Sequence, residues 1–387
     1  IFWFDTSPYR REEDLLGFYM THSTLIGSEI YRHSTYGAKH PISIPRVSTV
    51  LDLVRALKLC PAENYKIAPT VKIDLLAQFH SRDYLVALLE AETSQFVSGT
   101  DRKAYNIGVI SNPVFPSMFK RPATSVGSSL LATELVAVGG RAYALGGGLH
   151  HGMADYANGF CFMNDIVFAI KNLRKLGRDR VAYVDLDAHH CDGVEAAFLK
   201  DPSLLMISTH EEKRWPFTGQ INSNQRDKFL NIPLPRGCND DEFYYVFDKL
   251  ISPSLKRFSP DALIIQGGGD ALYHDPLSRL GLSNNALWWS LRRLLEISSC
   301  LILTGGGGYN PWTVARLWTG FWAILSDQCI PQMLTPKAEA ILASLKWKKN
   351  FNPPNYFLAS LFDPPFEGKV REEIRHLVCY LKNLHSL

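Results

Sequence analysis

VAYVDLDAHHCDGVE, residues Val181–Glu195, decides how this chain is read. Val181, Tyr183, Val184 and Leu186 form a short β-branched and aromatic run of the kind that makes a buried strand, and its carboxyl end releases Asp185, Asp187, His189, His190 and Asp192 within eight residues. Open α/β sheets bind ligands just beyond the carboxyl ends of their strands. Side chains alternate along an extended strand, so Asp185, Asp187 and His189 leave on one face and can converge. A carboxylate and an imidazole two residues apart suit a tetrahedral Zn²⁺ site with one position left for water. Asp192 alone could cap a helix running through Val194, Ala197 and Phe198, with the other acids solvated. Capping accounts for Asp192 but not for Asp185, Asp187 and His189 together, so the spacing favours a metal.

Outward from that stretch, three more strand patterns end in glycine turns. Arg141–Leu145 runs into GGGLHH at 146–151, Asp261–Gln266 into GGGD at 267–270, and Cys300–Thr304 into GGGGYNPW at 305–312. The last run is no P-loop, because no Lys-Ser/Thr pair follows it and a Tyr stands where the helix should open. His150 and His151, the Asp185–Asp192 cluster, Asp270 and Tyr309 are thus delivered to what should be one edge of one sheet. Further strands are predicted at 204–209 and 229–234, and at Phe2–Phe4 before the charged run Arg10–Asp14. Helices are predicted over 47–59, 125–138, 240–258 and after GFCFMN at 159–164, with a terminal helix striped by Val370, Ile374, Leu377, Val378, Leu381 and Leu384 that packs on the domain. Thr93–Gly108 reads as polar and irregular. SNPVFPSMF at 111–119 reads as a loop that lines a pocket or packs on the body, and Trp215 and Phe217 as pocket wall or core.

At 387 residues the chain can bury a large core, and with no marked compositional break the expectation is one domain over 1–387. Its motifs end near Asp327, leaving a loop and helix over 328–387. The expected class is α/β, with an open, mostly parallel sheet flanked by helices on both faces. A formal charge of +3 is spread over a chain that is 20% charged, with no long basic block, so nucleic acid is not an implied partner. Seven cysteines without a CxxC pair favour reduced thiols and a cytoplasmic protein. The opening IFWFDTSP is apolar for only four residues before Asp5, which suits neither a signal peptide nor a membrane span.

Together, GGGLHH, GFCFMND, YVDLDAHHCDGVE, QGGGDALYHDPL and GGGGYNPW resemble the zinc-dependent histone deacetylase family, which includes acetoin-utilisation proteins and acetylpolyamine amidohydrolases. The resemblance implies an arginase-deacetylase-like fold and one Zn²⁺ held by Asp187, His189 and Asp270. It makes Asp185 and Asp192 the hydrogen-bond partners of His150 and His151, and Tyr309 a donor to the substrate carbonyl. Gly159, Phe160 and Trp215 would wall a narrow channel for an acylated amine, with Leu277 near its base. Potassium would bind near Asp185 and Ser208. The implied reaction is removal of an acyl group, acetyl first among them, from acyl-lysine or a related small amine, with His151 as base and His150 in electrostatic support. The alternatives are an acetylpolyamine amidohydrolase and a two-manganese ureohydrolase. Against the latter, the positions where arginase-like relatives place two further acidic ligands hold Cys191 and Leu272. Against long polyamines, Leu277 stands where polyamine-selective relatives can carry Glu.

Overall fold

The structure, a computed structural model, describes residues 23–33, 35–226, 228–347 and 351–387. The strand expected at Phe2–Phe4 and the run Arg10–Asp14 lie outside the described residues. Eight strands form one sheet: β1 Ser23–Gly27, β2 Tyr65–Ile67, β3 Gly140–Ala144, β4 Val181–Asp185, β5 Leu204–Glu211, β6 Phe229–Leu234, β7 Ala262–Gln266 and β8 Cys300–Thr304. Their order is β2-β1-β3-β8-β7-β4-β5-β6, and every neighbouring pair is parallel, where a mostly parallel sheet was expected.

Parallel neighbours need crossovers, and helical crossovers cover both faces of the sheet. The strands are apolar on both sides to match. Ala182 and Val184 of β4 pack with the helices Arg46–Ala56, Asn284–Leu295 and Pro311–Leu325, while Val181 and Tyr183 pack with Lys120–Val136, Asp165–Lys175 and Asp192–Phe198. The first face also takes Ala338, Leu342, Phe357, Ile374, Val378 and Leu381, the last three from the terminal helix Glu372–His385.

Register places the site. Asp185 pairs with Ser208 and with Gln266, Gln266 with Thr304, and Thr304 with Ala144. The four motif-bearing strands therefore end level, and the loops that follow them emerge along one edge.

Some elements depart from the sequence expectation. A helix at Gly99–Tyr105 occupies part of the stretch expected to be irregular. Its N-terminus is capped by Ser98, which accepts the Asp101 N–H, and it buries no side chain, so it carries no apolar period to read. The Lys120–Val136 helix begins ahead of Ser125, with Pro122 in a first turn that needs no N–H from it. Residues 240–258 form one helical run interrupted by a π segment at Phe247–Ile251. Phe115 and Met118 are buried, so SNPVFPSMF packs on the body. Among the described residues no helix is long and apolar enough to cross a membrane.

His80 fastens the loops that lead into the site. Its Nδ1 lies 2.9 Å from the Met153 carbonyl and its Nε2 accepts the Asn164 N–H at 3.2 Å, an arrangement that requires the neutral ring with the proton on Nδ1. Burial pushes its pKa down to about 4 against the backbone carbonyls that favour the charged form. Below the unfolded value near 6.5 the unfolded chain binds this proton first, so stability is full above that pH and is lost as pH falls toward 4, by about 3 kcal/mol for this one group. Calorimetry near pH 5 should show His80→Asn taking up about one proton fewer on unfolding than wild type. Equal uptake would mean that His80 is not held neutral.

Candidate metal centre

The spacing Asp-x-Asp-x-His folds as consecutive side-chain turns. Asp185 Oδ1 accepts the Asp187 N–H at 2.9 Å, and Asp187 Oδ1 accepts the His189 N–H at 3.0 Å, so each acid shapes the backbone that presents the next ligand. From the end of β7, Asp270 Oδ1 accepts the Ala188 N–H at 2.9 Å, and Oδ2 lies 2.9 Å from His189 Nδ1. From the end of β8, Gly307 N–H reaches Asp187 Oδ2 at 2.7 Å. A Cβ at Gly307 would stand 2.0 Å from Asp270 Oδ2, so only glycine permits this approach. Asp187, His189 and Asp270 are buried, with ligand atoms within 4.8 Å of one another.

The donor set fits a divalent cation. Burial and the charge of Asp187 push the Asp270 carboxyl up. Burial would also raise Asp187, but His150, His189 and the Gly307 N–H outweigh it and hold it below the usual range. Burial opposes a charge on His189, yet the two carboxylates drive its ring up to about 10. Two buried acids facing one imidazole demand a positive charge between them, and two oxygens with one nitrogen are ligands Zn²⁺ accepts, with a position left open.

His150 and His151 lie beside this group with ring centroids 3.9 Å apart. His150 Nδ1 lies 2.7 Å from Asp185 Oδ2, and His151 Nδ1 lies 2.6 Å from Asp192 Oδ1. The two rings are driven apart in protonation. Burial disfavours charge on both, but Asp185 and Asp187 raise His150 to about 9, whereas burial and the neighbouring His150 lower His151 to about 4 despite Asp192. His190, the remaining ionisable group of the motif, turns away to Thr218, Glu195 and Asn231.

Trp215 is edge-on to His151 at 4.6 Å and to His189 at 6.2 Å, while Phe217 is 64% exposed and lines a separate cavity with His210, Gly219 and Tyr380. Gly159, at φ +50, leaves room for that indole: a Cβ there would stand 2.2 Å from the Trp215 ring. Phe160 meets Tyr309 edge-on at 5.8 Å. Leu277 is half-buried and borders a cavity together with Tyr309.

Several supports escaped the sequence reading. Asp165 accepts the N–H groups of Gly148 and Leu149, fixing the turn before the histidine pair, and Asn158 donates to Asp192 Oδ2 at 2.8 Å. Arg46 donates to the Gly306 carbonyl at 2.7 Å from far away in the chain, a link no local pattern could reveal. Asp275 accepts the Tyr309 N–H at 2.6 Å and the Leu277 N–H at 2.9 Å, so one buried carboxylate positions both. A buried acid before Pro276 in DALYHDPL was the available signal. Cys191 lies in the second-face core with its sulfur 3.7 Å from that of Met206, and Leu272 lies in the first-face core.

The sequence profile of the histone deacetylase domain matches residues 40–325. The acetoin utilization protein AcuC of Bacillus subtilis (strain 168) is 34% identical over 318 residues, 78% of this chain and 82% of that protein. Histone deacetylase 2 of Oryza sativa subsp. japonica is 36% identical over 294 residues, 73% of this chain and 57% of that protein, so the chain spans little more than half of this plant relative. A solved structure of an HDAC homolog complexed with SAHA superposes with a TM-score of 0.89 at 36% identity, covering 93% of this chain and 99% of that one. A structure of an HDAC homolog from Aquifex aeolicus gives the same values.

Asp275→Ala would strand two N–H groups, at about 1 to 3 kcal/mol each, so a loss of about 2 to 6 kcal/mol is expected in chemical denaturation, with Asp275→Asn recovering part of it. Wild-type stability in Asp275→Ala would show that the clamp contributes nothing.

Proposed function

The chain belongs to the histone deacetylase family, and from that premise we propose that it is a zinc-dependent amidohydrolase that removes an acyl group, acetyl first among them, from acyl-lysine or a related small amine. The observation that carries the reading is the histidine pair, each Nδ1 held by its own buried carboxylate, set against the cluster Asp187, His189 and Asp270. Zinc held by those three would supply Lewis acidity, polarising the amide carbonyl and bringing the pKa of water far down toward neutrality.

The chain's own residues do the rest. With Nδ1–H committed to Asp192, His151 presents Nε2 as the acceptor for the water's proton. His150, held by Asp185, offers positive charge beside it, and the pair returns a proton to the departing amine. Tyr309 is the hydrogen-bond donor to the oxyanion, its backbone held by Asp275. Gly159, Phe160 and Trp215 admit a narrow acylated stem and keep water out. A potassium ion near Asp185 and Ser208, buried partners on β4 and β5, belongs to the same proposal, as do the reducing surroundings that seven free thiols suit.

The one-metal reading is favoured over a two-manganese ureohydrolase because the two positions that would carry further acidic ligands hold Cys191 and Leu272, both buried in apolar clusters and neither offering a carboxylate.

Metal analysis should find one zinc per chain, and the protein should release acetate from an acetyl-lysine peptide. Asp187→Ala should lose both zinc and turnover. Tyr309→Phe should keep zinc while kcat falls about 10²- to 10³-fold, the loss of about 2.7 to 4 kcal/mol typical of an oxyanion donor. Full turnover in Asp187→Ala would reject the site, and two manganese per chain with urea release would establish the ureohydrolase instead.

A further inference from the structure

Beside Tyr309 and Leu277 the surface opens into a cavity of about 420 Å³. It shares a wall with the channel, because His40 lines it and meets Phe160 edge-on at 4.6 Å, and Phe160 in turn meets Tyr309. A substrate whose acyl group reaches Asp187, His189 and Asp270 between these rings carries the rest of its bulk past Tyr309 into this space.

The cavity's charge is one-sided. Lys39 and Lys346, both exposed, lie on its lining, and among the described residues no Asp or Glu lines it. The rest is largely apolar, with Ile44, Pro45 and Trp347. His40 adds no charge: burial lowers its pKa, its Nδ1 accepts the Ile42 N–H at 3.1 Å, and its Nε2 lies 3.2 Å from the Ser111 carbonyl. A cationic substrate would meet two ammonium groups here with no carboxylate to offset them, whereas an anionic one would meet two partners.

We propose that this cavity makes the enzyme selective for acyl-lysine flanked by carboxylates, an acidic peptide context, and unfavourable to acylated polyamines and to lysine-rich sequences. The selectivity rests on the deacylase reading above, and it assigns Lys39 and Lys346 as specificity-determining residues outside the catalytic group.

Three acetyl-lysine peptides that differ only in their flanking residues, Glu, Ala or Lys, separate the two claims. Each exposed ion pair contributes modestly, so wild-type kcat/KM at low ionic strength should favour the Glu peptide over the Lys peptide by about 5-fold or more. The preference should shrink toward parity near 1 M salt, where the screening length is about 3 Å. In the double variant Lys39→Glu/Lys346→Glu the ratio of the two kcat/KM values should invert. Equal kcat/KM for all three peptides in wild type overturns the selectivity while leaving the deacylase reading intact. A preference that persists unchanged in the double variant overturns the assignment to these lysines. If even the Ala peptide is not hydrolysed, the deacylase reading fails and the selectivity falls with it.

Discussion

Two carboxylates buried against a single imidazole form the constraint on which the rest depends. Asp187 and Asp270 have almost no access to water, and each faces His189 Nδ1. Carboxylates in such a place must be protonated, paired or bound to a cation. The backbone around them is arranged for the charged forms: N–H groups of Ala188, His189 and Gly307 all point at them. These donors and acids come from three different strand ends, so the level termination of β4, β7 and β8 is what makes the cluster possible.

The same logic repeats one layer outward. Asp185 takes the Tyr183 hydroxyl, the Asp187 N–H and His150, and Asp192 takes Asn158, the Gly193 N–H and His151. Each histidine is thereby fixed in ring orientation, and its free nitrogen is set by what the other nitrogen is bound to. Because Asp185 shapes the turn that delivers Asp187 and also holds His150, the ligand group and the histidine pair cannot shift independently.

The sequence was most legible where chemistry and secondary structure coincide. A β-branched run ending in Asp-x-Asp-x-His suits little besides a cation at a strand end, and the three glycine-ended strands around it marked the same edge; the full ligand set and the partners of the histidine pair were named only through the resemblance to the deacetylase family. Supports that act across the chain were not legible: Arg46 reaching Gly306, Asp165 holding the turn before His150, and Asp275 joining Tyr309 to Leu277 depend on loops whose approach only the fold creates. Short edge strands such as Tyr65–Ile67 carry too few residues to show a period, and the exposed helix Gly99–Tyr105 has no apolar face to betray it. Cys191, which stands where arginase-like relatives place a further acid, lies in the core, where burial pushes its thiol up.

The central claim is that one ion is gripped by two carboxylates and one imidazole with no thiolate and no companion metal. X-ray absorption at the zinc edge of the loaded protein tests it most directly. The account predicts a shell of oxygen and nitrogen at about 2.0 to 2.2 Å with scattering from a single imidazole. A sulfur shell at about 2.3 Å, or a metal neighbour at about 3.5 to 4 Å, would contradict it.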